Sequence, residues 1–544
     1  MLGLMMATPL SITAIMRHAE RVHGGREIVS VTADAPRHRY TYRDAFRRVR
    51  RLANALRALG VEAGDRIGTL AWNDYRHFEL YYGASCYGAI CHTINPRLFP
   101  EHIAYIINHA ADRYLFADVA FVPLLEQLAP ELRAVEGVIV LTGDARTPAT
   151  RLPEALSYEA LIADQPDTFD WPQLDERTAS ALCYTSGTTG HPKGVLYDHR
   201  STVLHAYGAA LPDAMGLSAA DVVLPIVPMF HANAWGLIYS AAMTGAKLVM
   251  PGPKMGDGET LCALINEEQV TLSAGVPTVW LALLRHLQAS GRRVDTLKRI
   301  VSGGSAVPVS LMRTLEEDYG IAVRHAWGMT EMSPIGTVNV LKPGAGALAG
   351  EALDRARARQ GRPVFGVEIR IVDDAGRELP WDGRTPGSLE VRGPWVCRDY
   401  YAPEAPSSAH RSDGWFATGD VAAIDADGYV QITDRTKDII KSGGEWISSI
   451  DLECAAVAHP DIAEAAVIGV SHPKWMERPL LVVVPAEGAG LTRERVLHFL
   501  AERVPRWWLP DDVVFVAAIP HTATGKISKV DLRRQFAGYR LPTA

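Results

Sequence analysis

Between residues 40 and 140 the apolar positions keep changing period. Over 41–59 Phe46, Val49, Ala53 and Leu56 form a helical stripe. "RIGTLAW" then reads as a strand, "HFELYYGASCYGA" as a helix and "AICHTIN" as a strand. Helix "EHIAYIINHA", strand "RYLFAD", helix "FVPLLEQL" and strand "GVIVLTG" continue the alternation. Strands alternating with helices predict a layered, largely parallel α/β sheet. The pattern resumes over 247–327 and ends in a compact βαβ unit. There strand "RIVS" runs into Gly303-Gly304-Ser305, Pro308 opens a helix near its first position, and "AVRHAW" follows as a strand. Ligands of such sheets gather beyond the carboxyl ends of the strands, where "SGGSA" and "WGMTE" fall.

After residue 361 the texture changes to short strands and tight turns. "RIVDDAGRELP", "GSLEVRGPWV" and "VAAIDADGYVQITDR" read as hairpins with Asp-Gly or Ala-Gly turns. "DADG" at 425–428 lacks the distal glutamate of a calcium loop and reads as a turn. A small α/β unit begins past Asp434, where we expect a domain boundary that divides the chain into 1–433 and 434–544. Residues 222–246 carry no Asp, Glu, Lys or Arg, but Pro225, Pro228, His231 and Asn233 interrupt them. A buried strand, a loop at a site and a core helix are expected there, not a membrane span.

The 544 residues allow more than one domain, and a net charge of −7 argues against a general nucleic-acid binder. The arginines of "RDAFRRVRRLANALRALG" lie mostly opposite the apolar stripe, as on a solvated helix face. Six scattered cysteines without a C-x-x-C pair argue against zinc and against a disulfide framework. No basic segment precedes an apolar run at the start of the chain, so we expect a soluble, cytoplasmic protein.

The densest chemistry lies in "YTSGTTGHPKGV", residues 184–195. Glycines let backbone N–H groups converge on an anion, four hydroxyls add donors, and Lys193 adds a full charge. The spacing is not that of the usual P-loop, and the flanks "ALCY" and "GVLY" read as the two strands of a hairpin. A plain turn would not need four hydroxyls and a lysine, so the stretch predicts a phosphate site.

Five further clusters accompany it: "PMFHANAW", "SGGSA", "HAWGMTE", "TGD" and "DRTKDIIKSGGEW", with "TATGK" near the end. Their order and spacing resemble the AMP-forming acyl-CoA synthetases of the adenylate-forming superfamily, over nearly the whole chain. "MFHANAW", "IKSGGEWIS" and "HPKWMERP" are most similar to the medium- and long-chain fatty acyl-CoA synthetases and to the methylmercaptopropionate-CoA ligases.

The resemblance implies an α/β fold. A large domain of layered α/β subdomains with a small β-barrel-like subdomain would carry a small, mobile α+β lid, hinged at Asp434. It implies that a carboxylic acid, a fatty acid or a short thioether acid such as methylmercaptopropionate, is joined to AMP from ATP with release of pyrophosphate. The acyl group then passes to coenzyme A. Two anions, carboxylate and α-phosphate, must meet in the first step, which calls for cations and oriented donors.

By the same resemblance Thr185, Ser186, Gly187, Thr188, Thr189, Gly190 and Lys193 would hold the β- and γ-phosphates. Glu331 would bind Mg²⁺ with the Thr185 hydroxyl, and Thr330 would contact the α-phosphate. Adenine would lie between Gly303, Gly304, Ser305 and the face of Trp327, where the family usually has Tyr. His325, Ala326, Gly328 and Met329 would complete that wall. Asp420 would accept from both ribose hydroxyls, supported by Arg435, with Lys437 and Lys441 beyond. Lys526 would reach the α-phosphate from the lid. His231 and Trp235 would gate the acyl tunnel next to Pro334. Gly443 and Gly444 would leave a channel for pantetheine, lined by Lys441, Glu445, Trp446 and Glu477. A homodimer is implied as well. Two rival readings share parts of this pattern: an adenylating enzyme that loads a carrier-protein thiol, and a non-catalytic nucleotide-binding protein.

Overall fold

The architecture was read from a computed structural model, which describes all residues except 2, 36, 144–148, 153, 186–190, 345–347, 404–406, 436, 444 and 523–525. The alternation over 40–140 builds a seven-stranded sheet. Its order is Leu156–Ser157, Gly137–Leu141, Asp112–Asp118, Arg66–Leu70, Ile90–Thr93, Ala179–Tyr184 and Gly194–Asp198. All neighbours run parallel except the last pair, the hairpin expected around the phosphate stretch. Strands Ile90–Thr93 and Gly137–Leu141 are buried at every position, as parallel strands covered on both faces must be.

A second sheet has nine strands. In order they are Arg362–Pro363, Ile335–Val338, Ala322–Gly328, Arg299–Ser302, Leu272–Gly275, Val222–Pro225, Lys247–Met250, Glu27–Ser30 and His38–Thr41. Its centre is parallel and its two ends are antiparallel. The βαβ unit is present as read, with Pro308 capping helix Val309–Glu317 from outside. One large core joins the sheets. It contains Ile67 and Cys91 of the first together with Val223, Leu248, Leu272 and Val301 of the second. The uncharged stretch divides as expected into strand Val222–Pro225, a turn, and the core helix Leu237–Thr244. Among the described residues no helix is long and apolar enough to cross a membrane.

Helix Tyr42–Ala58 starts from a capping box between Thr41 and Asp44 and buries Phe46, Val49, Ala53 and Leu56 as patterned. Its arginine face is not wholly solvated. Arg48 reaches inward to Glu79 at 2.7 Å and makes two bonds to Glu159, at 3.0 and 2.9 Å. Glu79 is fully enclosed, so its charge has to be met by a buried partner. Sequence periodicity cannot reveal that partner, because Glu79 and Glu159 come from other helices.

The hairpins after 361 form a four-stranded antiparallel meander, Glu368–Val372, Gly387–Arg392, Phe416–Ile424 and Val430–Arg435. An open four-stranded sheet stands where a β-barrel-like subdomain was expected. "DADG" is a hairpin turn: Gly428 N–H donates to Asp425 O at 2.8 Å, and the Asp425 carboxylate accepts from Asp427 and Tyr429 N–H. The small C-terminal domain follows, with strands Glu445–Ile447, Ile440–Ser442, Met476–Pro485, Ile462–His472 and Asp512–Phe515 in one sheet. Helices Ser449–Val457 and Arg493–Ala501 pack on it through Leu452, Ala456, Val496 and Leu500.

Gly361 joins the nine-stranded sheet to the meander. Its φ is +87°, it bridges Val430, and a Cβ there would lie 2.0 Å from the Val338 carbonyl carbon. Gly376 shares the left-handed conformation at φ +77° but faces open space. Gly361→Ala is therefore expected to cost on the order of 2–4 kcal/mol, and Gly376→Ala about 1 kcal/mol. Urea unfolding of both variants checks this; equal losses would mean that Gly361 does not hold the two sheets together.

Candidate active site

Strand Ala179–Tyr184 ends at Thr185, and strand Gly194–Asp198 begins just after Lys193. Thr185 N–H donates to Lys193 O at 2.9 Å, and Lys193 N–H to Thr185 Oγ1 at 3.4 Å. This closes the hairpin neck. Ser186, Gly187, Thr188, Thr189 and Gly190 lie outside the described residues. Lys193 Nζ sits 4.8 Å from the centre of the Tyr400 ring. Tyr400 OH donates to Glu331 Oε1 at 2.8 Å. Burial and the Glu331 charge both push the phenol well above its ordinary range, so it stays a donor.

Glu331 is 7% exposed, on a single helical turn Thr330–Met332. Burial pushes its carboxyl up, opposed by the Tyr400 bond and then by Lys193 and Arg435. The turn is held by Tyr197 OH on Thr330 O at 2.6 Å and by Met329 N–H on Pro334 O at 3.0 Å. Gly328 is obligatory here, since a Cβ would strike Pro334 O at 2.0 Å. Ala326 and His325 lie behind this turn. The His325 ring is buried with Nδ1 3.0 Å from Ala358 O, so its side chain serves the scaffold.

Gly303 and Gly304 end strand Arg299–Ser302, and Ser305 beyond them is exposed. A Cβ on Gly303 would meet Ala326 O at 2.6 Å and the Trp235 ring at 3.4 Å. A Cβ on Gly304, whose φ is +84°, would lie 3.6 Å from Lys526 Cε. Asp420, on strand Phe416–Ile424, is the cross-strand partner of Arg435. Arg435 Nε is 3.6 Å from Asp420 Oδ1, and Trp327 Nε1 donates to Asp420 Oδ2 at 2.8 Å. Burial pushes Asp420 up; Arg435, Trp327 and Lys526 oppose that shift, and Asp434 adds to it.

Lys526 therefore lies between the glycines, Asp420 and Glu331. Burial and Arg435 push its ammonium down to about 8, against the pull of the two carboxylates. Lys437, also pushed down by burial, faces the same carboxylate, Asp420.

His231 and Trp235 flank a turn in which Ala232, Asn233, Ala234 and Trp235 all have φ between +43° and +56°. Such left-handed backbone costs roughly 1–2 kcal/mol per residue and persists only where neighbours dictate it. Tyr81 OH and Cys183 Sγ both reach Asn233 Oδ1, at 3.2 and 3.4 Å. Burial and then the Lys526 charge push His231 down to about 4, so it is neutral at pH 7.

The remaining candidates stand apart. Gly443, at φ +60°, donates its N–H to Trp475 O at 2.9 Å, and a Cβ would meet the Trp475 ring at 3.0 Å. Its glycine is thus already required by its own domain. Trp446 is 40% exposed, and Glu477 accepts from Lys441 N–H at 3.0 Å. Gly444 lies outside the described residues, and Glu445 begins strand Glu445–Ile447. Lys441, Gly443 and Trp446 thus sit on one outward hairpin while Lys526 is enclosed. Asp434 is buried, and its Oδ2 accepts from Ser449 N–H at 2.7 Å and Ser449 Oγ at 2.6 Å.

Residues 16–401 match the AMP-binding enzyme model, and residues 451–526 match the AMP-binding enzyme C-terminal domain. The chain belongs to the AMP-binding enzyme family. It is 52% identical over 536 residues to the 3-methylmercaptopropionyl-CoA ligase of Ruegeria lacuscaerulensis, covering 98% of this chain and 99% of the relative. It is 48% identical to the medium-chain-fatty-acid–CoA ligase of Ectopseudomonas oleovorans, covering 98% of each. Among solved structures, the anthranilate CoA ligase AuaEII in complex with anthranoyl-AMP superposes with a TM-score of 0.87 at 26% identity, over 97% of this chain and 98% of that one. This AMP-binding enzyme is an AMP-forming acyl-CoA synthetase, an acid–thiol ligase that uses ATP and proceeds through an acyl-AMP.

Sequence reading missed Tyr400, the anchoring role of Asn233, and the Trp475–Trp507 pair, whose rings meet edge-on 4.9 Å apart beside Gly443. Tyr400 stands 69 residues from Glu331, and only the fold brings them together. Tyr400→Phe removes the donor to a buried carboxylate and should cost about 1–3 kcal/mol at pH 8. Glu331 already sits above its unfolded range, so its ionised form is disfavoured by folding. That cost is absent at low pH and grows as pH rises through the raised range. The Tyr400→Phe loss should therefore shrink toward pH 5. Urea midpoints at the two pH values check it, and a pH-independent loss would mean the hydroxyl does not serve Glu331.

Proposed function

We propose that this enzyme activates 3-methylmercaptopropionate or a related short thioether acid first, and medium-chain fatty acids second, with Mg²⁺ and coenzyme A as partners in the reaction. The observation that carries the reading is the enclosed Lys526. One lysine from the small domain comes up to the glycine wall, its Cε 3.6 Å from where a Gly304 Cβ would stand, and lies in the field of Asp420 and Glu331, with His231 feeling its charge. The two curated relatives support the order of acids. So does Trp235, only 7% exposed and packed toward Gly303, which closes the acyl side at short range.

In the adenylation step Lys526 and Lys193 would neutralise phosphate charge, and Thr185 would donate its hydroxyl. Asp420 would accept from the ribose hydroxyls, and Thr330 would contact the α-phosphate. The donor set suits Mg²⁺. Glu331 is a buried carboxylate that burial pushes up, its Oε1 accepts from Tyr400, and among the described residues no group of three or more His, Cys, Asp or Glu converges. A hard cation with few protein ligands and several phosphate oxygens fits such a place. When bound by Glu331 and Thr185 it would supply charge neutralisation on the phosphates. His231, neutral, would orient the acid without adding charge to its carboxylate.

Residues 434–544 would then turn about Asp434, exchanging Lys526 for Lys441, Gly443, Gly444, Glu445, Trp446 and Glu477 around the thiol path. The clasp of Asp434 on Ser449, and of Lys529 on Ser449 and Glu453 (2.8 Å), stabilises the lid in the geometry seen here. The proposal extends to a homodimer working in the cytoplasm, as the family resemblance implied.

Two experiments test it. A panel of short, thioether, medium and long acids is assayed for AMP formation. The expected order puts methylmercaptopropionate ahead, with neighbours differing by roughly 10–200-fold per misfit methylene. A preference for long chains would overturn the order of acids. Lys526→Ala should slow acyl-AMP synthesis by on the order of 10²–10³ while sparing thioester formation from supplied acyl-AMP. In the native enzyme kcat/KM for ATP should fall as pH rises through about 8, where Lys526 loses its proton, and Lys526→Arg should carry that limb to higher pH. Equal slowing of both halves would refute the moving lid.

A further inference from the structure

Trp327 ends strand Ala322–Gly328, with Thr337 as its cross-strand partner. Its ring lies over Gly336, where a Cβ would meet the six-membered ring at 2.6 and 2.8 Å. A side chain at 336 would evict the indole, so its place is fixed by the absence of one. From there the ring presents its edge to the meander, and Nε1–H meets Asp420 Oδ2 at 2.8 Å. The other carboxylate oxygen faces Arg435, at 3.6 Å, and the Asp420 N–H is held by Thr418 Oγ1 at 3.1 Å. Three cations face Asp420, namely Arg435, Lys526 and Lys437, while Asp434 opposes it.

These partners differ in what they are attached to. Lys526 and Lys437 follow the Asp434 hinge, while Arg435 ends the meander strand Val430–Arg435 beside it, its side chain 44% exposed. Trp327 belongs to the nine-stranded sheet of the large domain. It is the neutral donor that would stay when the lid turns. An indole is suited to the task because its N–H is neutral, points along the ring plane, and leaves the face free. A phenol, the usual group in the family, carries its hydroxyl at the far end of the ring.

Resting on the adenylating reading above, we propose that Trp327 is a positioning residue. Its indole N–H aims the Asp420 carboxylate at the ribose hydroxyls and keeps it aimed while Lys526 departs, so that the acyl-AMP is retained between the two half-reactions. One side chain would thus serve base and sugar together, adenine on its face and the sugar-binding carboxylate at its edge.

The test combines binding and turnover on the full chain. Calorimetry with ATP and with 2′-deoxyATP needs no chemistry, so its result does not depend on whether any acid in the panel is activated. Trp327→Phe, which keeps an aromatic face, should weaken ATP by about five- to tenfold and weaken 2′-deoxyATP less, lowering the preference for ATP. In turnover the variant should release more pyrophosphate than it forms thioester, with free acyl-AMP in the filtrate. If Trp327 acts through Asp420, then Trp327→Phe added to Asp420→Asn should cause little further loss. An unchanged ratio of the two nucleotides, a pyrophosphate-to-thioester ratio equal to that of the native enzyme, or losses that simply multiply would each overturn the proposal. Should Trp327→Phe not fold, the native indole still reports. In ¹⁵N-indole-labelled protein, one of the 12 tryptophan N–H resonances should shift in Asp420→Asn, and no shift would count against the contact. Absence of acyl-AMP from every acid while the nucleotide preference responds as expected would overturn the functional reading and leave the Trp327–Asp420 role standing.

Discussion

Everything in the cleft follows from the cost of enclosing charges that do not cancel. Lys526 is pushed down to about 8, while Glu331 and Asp420 are pushed up, each mainly by burial. Nearby opposite charges pull each one back without restoring it. A site in that state gains when a polyanion and its counter-ion enter, because every member then recovers the partner it lacks. The same imbalance explains why Tyr400 and Trp327, neutral donors with fixed rings, hold the two carboxylates. They orient charge without adding any.

Three layers packed on one core bring these groups together. The seven-stranded sheet delivers the Thr185–Lys193 neck, the nine-stranded sheet delivers Gly303, Gly304, Trp327 and Glu331, and the meander delivers Asp420. The groups from the two α/β sheets stand at a strand end or a turn just beyond one, as expected where strands stop at a common edge, while Asp420 sits mid-strand in Phe416–Ile424. Gly361 fixes how the second layer meets the third. The small domain adds Lys526 from a loop, so the charge that burial penalises is supplied by the last domain of the chain.

Much of this was legible in the chain. Period changes over 40–140 gave the strands and helices of the first sheet, because buried parallel strands and amphipathic helices leave different spacings. The hairpin around "TSGTTGHPK" was readable from its flanks. Three kinds of feature were not legible. Arg48 looked solvated because its acceptors, Glu79 and Glu159, come from other helices. Tyr400 carried no local pattern, since its meaning lies wholly in Glu331. The glycine of "SGGEW" showed a bare backbone, but not that Trp475 and Trp507 of its own domain pack against Gly443. Sequence shows which residue is small; only packing shows what it makes room for.

The left-handed turn at 232–235 has a consequence for anyone who would mutate it. Branched side chains at Ala232 or Ala234 would crowd a backbone that tolerates alanine only because Tyr81 and Cys183 pin Asn233 between them. Libraries randomised across "HANAW" would thus be dominated by misfolded members rather than by new specificities. Diversity is better placed on the surrounding walls, or introduced with glycine at these positions, where relief of backbone strain offsets the lost contacts.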